Sequence, residues 1–301
     1  MKKEEIKSLD RVMSFSQVLS SATDISRAES KLFLRALLIY AGPFELARMI
    51  LELVFRYRQI SNHDYFMNEK FIYSSGGLVG IICSVILMAL MMVIAYRVVA
   101  QYAGQRPQMQ KARDLVMVRP GFFYSFAGLL LIQTIIYGIV VFVMVLVVTS
   151  YEAPGIIKVL VALGAVFALF YLYTSFSMSP FAMIDEDAGV GKSIDRSFAL
   201  TKGNKWFIFG LLFVIALMIY LVMLGVGMLA GVTISMAGFS GLYFSNGSFV
   251  FLAVVRVLTG VATLFGTGLM MLVLAVQYFN LKERLDASRL EKCVDEIGEN
   301  L

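Results

Sequence analysis

A row of charged residues interrupts the first long apolar stretch of the chain, and these residues are the best suited to chemistry. They advance by 3, 4 and 4 positions, so a helix places them along one face: Glu45, Arg48, Glu52 and Arg56. A charge at mid-bilayer costs roughly 2.5–3.5 kcal/mol, so such groups must be paired or hydrated. Arg256 in the last apolar stretch lies at a similar depth to Glu52. We therefore predict a Glu52–Arg256 ion pair.

Two interpretations of this polar stripe remain open. The charges either pair to hold helices together, or they line a water-filled path for protons or an anionic headgroup. Gly42 and Pro43 precede Glu45, and a proline bends a helix by removing one backbone hydrogen bond. A bend beside buried charges fits both interpretations.

The composition of the chain places the stripe in a membrane protein. Of its 301 residues, 59% are hydrophobic and 16% charged, whereas soluble domains carry about 25% charged residues. A span needs about 20 mostly apolar residues. Six stretches qualify: 32–57, 77–103, 122–150, 156–178, 206–235 and 250–279. We therefore predict an all-α integral membrane protein, with six transmembrane helices in a membrane domain over 32–280.

The distribution of basic residues predicts the orientation of the chain. Of the 26 Lys and Arg residues, 19 lie in the segments 1–31, 97–120, 179–205 and 281–301. Basic loops stay in the cytoplasm. Both termini are therefore predicted to be cytoplasmic, as an amphipathic N-terminal segment over 1–31 and a tail over 281–301.

The spans are predicted to form three repeats. Alternate spans start at Leu32, Phe122 and Trp206, which are 90 and 84 residues apart, and each follows a basic segment. Apolar residues at helical spacing precede each start, for example from Phe15 to Ile25 and from Met109 to Val116. Each unit is thus predicted to be a cytoplasmic amphipathic helix, suited to the headgroup region, followed by a transmembrane hairpin.

One segment carries a family resemblance. It runs from Ile184 to Trp206 and contains eight residues of a signature: Ser193, Ile194, Ser197, Leu200, Thr201, Lys202, Gly203 and Trp206. The segment resembles the signature loop of bacterial six-helix membrane proteins, namely the glycerophosphodiester phosphodiesterase membrane domain and its DUF975 and YciC-like relatives. The resemblance implies a six-helix fold in the bacterial inner membrane. It implies no phosphodiesterase activity, because the soluble catalytic part of some relatives is absent here.

The same loop has a structural and a docking interpretation. Residues 193–200 suit a short amphipathic helix, Gly203 suits the left-handed residue that ends it, and Trp206 suits the membrane interface. Asp195, Arg196 and Lys202 then face water or a soluble partner.

The sequence argues against several classes of function. A single histidine, His63, and two isolated cysteines, Cys83 and Cys293, provide too few ligands for a metal centre. The Gly191-Lys192-Ser193 triplet lacks the glycine that a phosphate loop needs five positions earlier, where Glu186 stands. We therefore predict no enzyme activity, no cofactor and no binding of nucleotide or nucleic acid.

Two functions remain as hypotheses. The first is a non-catalytic scaffold or accessory subunit that organises lipid or a membrane protein complex. Its predicted partners are membrane lipids and other membrane proteins, or further copies of the chain. The second is a transporter or permeation pathway for ions or amphiphilic lipids, which would use the charged face of the first span.

Overall fold

The computed structural model describes residues 13–61, 75–103, 111–150, 154–239 and 246–299, and these residues form helices and turns with no strand. The helices in chain order are α1 (Phe15–Ala28), α2 (Ser30–Ala36), α3 (Gly42–Ser61), α4 (Ser75–Tyr102), α5 (Pro120–Thr149), α6 (Gly155–Phe176), α7 (Ser179–Asp185), α8 (Val190–Thr201), α9 (Lys205–Phe239) and α10 (Asn246–Glu299). A short π-helical turn, Leu37–Ala41, joins α2 to α3. His63 lies outside the described residues.

The protein is an all-helical, multi-pass membrane protein. Within the described ranges, five stretches are long and apolar enough to cross a bilayer: Val79–Tyr102, Gly121–Thr149, Gly155–Asp185, Lys205–Val226 and Ala253–Leu285. They agree with five of the six predicted spans. The α2–α3 segment is not among them, because several charged residues break its apolar sequence.

The α2–α3 segment is a continuous helix that contains one π-helical turn. The amide of Gly42 donates to the carbonyl of Leu37, five residues back, which is the hydrogen bond of a π-helix. Pro43 follows directly and has no N–H to donate, and its ring crowds the preceding turn of an α-helix. The sequence predicted a bend at this position, and the structure accommodates the proline with one wide turn.

The core forms around α4 and α10, with α3 packed against both. Gly260 of α10 faces Met49 of α3 so closely that an added Cβ would overlap the methionine sulfur. The apolar stripe of α1 is also part of this core, because Val18 and Ile25 pack against α10 with no exposed surface. The protein itself therefore covers this stripe, and the position of α1 at the headgroup region stays a prediction.

Hydrogen bonds fix the position of α1. The buried Asn280 side chain accepts from the Met13 amide at 2.9 Å, and Arg284 Nη2 donates to the Met13 carbonyl at 2.9 Å. Arg284 also donates to the side chain of Asn204 at 3.2 Å. The entry to α1 is thus attached to α10 through its backbone.

Two predicted boundaries need correction. Residues 112–116 form turns rather than the predicted amphipathic helix of the second unit. Their backbone hydrogen bonds span three residues, as from the Asp114 amide to the Lys111 carbonyl. Residues 179–184 form the buried helix α7 rather than part of a solvated loop, because Phe181 and its neighbours fill space between α4, α8 and α10. Residues 281–299 continue α10 without a break.

The α5–α6 hairpin is the least buried part of the described structure. In the most apolar part of α5, none of the residues is buried inside the protein, and in that of α6 the buried share is 6%. The corresponding shares are 50% for α4 and 39% for α10. Its outward side chains include Phe142 and Phe167, which are exposed. These helices therefore present large apolar faces to whatever surrounds the protein.

Candidate functional sites

The predicted polar stripe lies on α3, which positions it toward α10. Glu45 is 2% exposed, one turn after the π-helical segment. Arg48 donates two hydrogen bonds to the Glu45 carboxylate, from Nε to Oε2 at 2.8 Å and from Nη2 to Oε1 at 2.5 Å. This two-pronged arrangement is the strongest geometry available to an arginine and a carboxylate.

The second carboxylate of the stripe links α3 to α10. Glu52 Oε2 forms an ion pair with Arg256 Nη2, and Arg48 Nη1 lies 3.9 Å from the same oxygen. The predicted contact between Glu52 and Arg256 is therefore present. Arg56 belongs to α3, but its side chain lies outside the described part of the chain.

Among the described side chains of the stripe and its partner helix, Glu45 and Glu52 balance Arg48 and Arg256. Two carboxylates and two guanidinium groups alternate along it, so each carboxylate faces a cation within 4 Å. Pairing of this kind lowers the cost of holding charges away from water, and breaking one partner leaves the other uncompensated. The arrangement is well suited to holding α3 against α10.

A second polar cluster, around Asp185, was not singled out by the sequence. Its Oδ1 accepts from the Tyr96 hydroxyl at 2.6 Å, and its Oδ2 accepts from the Tyr278 hydroxyl and from Lys282 Nζ, each at 2.7 Å. The Asp185 side chain is 8% exposed, and both tyrosines are buried. One carboxylate thus ties the end of α7 to α4 and α10.

The two acidic residues that follow extend this cluster to other helices. Glu186 Oε1 lies 2.8 Å from Arg196 Nε of α8, and Asp187 Oδ2 lies 3.4 Å from Arg119 Nη2 at the start of α5. Asp187 has a positive φ of 50°, a region that aspartate enters more readily than most residues. The loop with residues 185–187, termed here the acidic loop, is connected to α4, α5, α8 and α10.

The remaining predicted loop residues lie along α8 and its end. Asp195 and Lys202 are exposed, and Gly203 has a φ of 81°, the left-handed conformation predicted for it. Trp206 is 71% exposed and contacts the ring of Phe170 on α6, with centroids 5.1 Å apart. These residues do not converge on a common point. Arg196 is the one predicted loop residue that joins the acidic loop.

No local motif in the sequence indicates the Asp185 cluster. Its three donors lie 89, 93 and 97 positions away, so no short motif contains them. Across the described ranges, no group of three or more His, Cys, Asp or Glu side chains is placed to hold a metal ion. Cys83 is half-buried in α4, and among the described residues it is not part of a disulfide.

Comparison of the chain with protein-family models, with curated proteins and with solved structures finds no match. The resemblance carried by residues 184–206 therefore stays a prediction.

Proposed function

We propose that the chain is a non-catalytic membrane scaffold or accessory subunit that organises lipid or a membrane protein complex. The observation that carries this proposal is the contrast between the closely packed core around α4 and α10 and the exposed α5–α6 hairpin. Half of the residues in the most apolar part of α4 are buried inside the protein, whereas none of those in α5 are. An apolar face of this extent in a membrane protein contacts either lipid or the helices of another protein.

The charged groups support the same proposal. Carboxylates of the stripe and of the acidic loop are all engaged with cations or hydroxyls, as in Glu45 with Arg48 and Asp185 with Lys282. A general base needs a carboxylate or imidazole free to accept a proton from a substrate. Groups committed to holding helices together are better suited to a rigid platform than to catalysis.

The proposal includes the arrangement predicted from sequence. The α2–α3 segment acts as a sixth span beside the five apolar ones. Its charges are offset by the Glu45–Arg48 pair within α3 and by the Glu52–Arg256 pair with α10. Three membrane hairpins, each preceded by a basic segment, then leave both termini on the basic, cytoplasmic side of a bacterial inner membrane.

Photo-crosslinking in cells tests the scaffold. A benzophenone amino acid replaces Phe142 or Phe167 on the hairpin, and Phe213 of α9, which is also exposed, serves as the matched control. We expect protein adducts, to a second copy or to another membrane protein, from the two hairpin positions well above those from the control position. Equal adducts at all three positions, together with a strictly monomeric mass in mild detergent, would overturn the proposal.

A second candidate function is transport of ions or amphiphilic lipids along the stripe. Two observations favour it. The π-helical turn lies one turn before Glu45, and π-turns are frequent at functional sites. The Arg48, Glu52 and Arg256 side chains also keep about a quarter of their surface exposed. Proton or anion flux into proteoliposomes that falls in Glu45→Gln, with folding retained, would support transport. Flux equal to that of empty vesicles would exclude it.

A further inference from the structure

A cavity of about 570 Å³ lies between the end of α4, the start of α5 and the acidic loop. Its polar lining consists of Arg97, Arg119, Gly121, Ser125, Asp187 and Gly189. Two arginines and one aspartate give this lining a net charge of +1. The cavity is separate from the polar stripe, and the scaffold function does not require it.

The two arginines approach the cavity from different helices. Arg97, in the last turns of α4, donates to the carbonyl of Met117, which holds its guanidinium at the cavity wall. Arg119 directly precedes α5, and its side chain is 77% exposed while it contacts Asp187. Guanidinium groups bind phosphate oxygens through paired, charge-assisted hydrogen bonds. The chemistry of the lining thus favours a phosphate group.

Two helix starts add to this preference. Arg119 is the N-cap of α5 and Gly189 is the N-cap of α8, and both residues line the cavity. Within the described ranges, no side-chain hydrogen bond caps either helix start. The dipoles of both helices and the first amides of α8 attract anions, whereas α5 begins with Pro120, which has no N–H to donate. Gly121 and Gly189 also leave open space, because an added Cβ at either position would meet no described atom within 4 Å.

The rest of the wall is apolar, which distinguishes a lipid from a free ion. Phe122, Met183 and Ile184 line the cavity beside the arginines. Arg119 stands just before the apolar stretch Gly121–Thr149, and Arg97 lies near the end of Val79–Tyr102. Basic pockets between membrane helices at this level bind anionic headgroups. The depth and the mixed lining match a headgroup attached to an acyl glycerol.

We propose that this cavity binds the phosphate group of an anionic phospholipid. Arg97 and Arg119 contact the phosphate oxygens, the starts of α5 and α8 face the charge, and Phe122 contacts the glycerol and upper acyl region. The Asp185 hydrogen bonds hold the acidic loop that forms one wall. The inference rests on the proposed function only in that the chain lies in a bilayer, and a failure of hairpin crosslinking would leave it standing.

Native mass spectrometry of the delipidated full-length chain in detergent tests the proposal. The probes are a short-chain phosphatidylglycerol, the matching phosphatidylcholine and inorganic phosphate. We expect Arg119→Gln to weaken phosphatidylglycerol binding about tenfold, because the variant loses a charge-assisted hydrogen bond to the phosphate. Asp187→Asn removes a nearby negative charge and is expected to strengthen binding roughly threefold. Arg113→Gln, at an exposed position outside the cavity lining, is the matched control and is expected to change nothing.

The outcomes separate the two sources of phosphate. Preference for phosphatidylglycerol over phosphatidylcholine, lost in Arg119→Gln and retained in Arg113→Gln, supports the lipid site. Binding of inorganic phosphate as tight as that of the lipid overturns it in favour of a free anion. Equal affinity for both lipids, or equal losses in both arginine variants, overturns the site altogether. Unchanged elution and thermal unfolding of Arg119→Gln, whose side chain is largely exposed, confirm that the variant is folded.

Discussion

Replacing Asp185 by alanine is the most direct test of how the helices are held together. The change removes one carboxylate and with it three hydrogen bonds, from Tyr96 at 2.6 Å and from Tyr278 and Lys282 at 2.7 Å. These donors come from α4 and α10, the two helices at the centre of the core. The variant should therefore loosen the contact of α7 with both helices.

The size of the effect follows from the burial of the donors. Tyr96 is 1% exposed and Tyr278 is 0% exposed, so neither hydroxyl can reach water after the change. A buried donor left without its acceptor costs about 1–3 kcal/mol. The Lys282 side chain is 19% exposed, and its ammonium group can turn toward solvent at a smaller cost. We expect Asp185→Ala to lower the free energy of unfolding by about 3–5 kcal/mol, as for other broken buried ion pairs.

Chemical unfolding of the purified chain in detergent micelles measures this loss. Asp185→Asn keeps an acceptor oxygen and is expected to lose about half as much, since it retains a neutral hydrogen bond. Asp195→Ala is the matched control: the residue is an exposed aspartate on the neighbouring helix α8. Surface changes of this kind usually stay within about 0.5 kcal/mol.

A double-mutant cycle then tests the bond itself. Tyr278→Phe removes one donor, so its effect and that of Asp185→Ala should be less than additive, by roughly 0.5–3 kcal/mol. Two results would refute the reasoning. One is a loss below about 1 kcal/mol in Asp185→Ala, which is less than one unmet buried hydroxyl costs. The other is full additivity with Tyr278→Phe.

Two further predictions concern the stripe and the end of α8. Reversing Glu52 to Arg or Arg256 to Glu should each cost about 3 kcal/mol, and the double reversal should restore most of it; thermal unfolding that shows no rescue would contradict the pair. Gly203→Ala should cost about 1–2 kcal/mol because its φ of 81° suits glycine. Gly191→Ala, in open space within α8, should be neutral or stabilising in the same assay.

Much of the fold could be predicted because lipid imposes simple rules. Long apolar stretches predict helices, and five of them meet the length and composition of a span. The Glu52–Arg256 contact was also predictable, because two opposite charges at similar depth in apolar helices have few other partners. Gly203 was predictable from local geometry alone, since a helix end of this kind needs a left-handed residue.

The remaining features depend on contacts between distant parts of the chain. Nothing near Phe181 in the sequence distinguishes a buried helix from an interfacial loop, and its burial depends on α4 and α10. The apolar face of α1 is the same pattern whether it covers lipid or protein, and the neighbouring α10 decides. Asp185 stands among other acidic residues, and only the folded chain shows which of them is buried with three donors.

The π-helical turn before Glu45 also sets the rotational register of everything after it. An α-helix turns by about 100° per residue, so one extra residue in a turn rotates the following segment by about that angle. Deleting one residue between Leu37 and Ala41 would restore regular winding and swing Glu52 away from Arg256. The wide turn therefore acts as a one-residue insertion that directs the charged face of α3 toward α10, and the Glu52–Arg256 ion pair depends on that rotation.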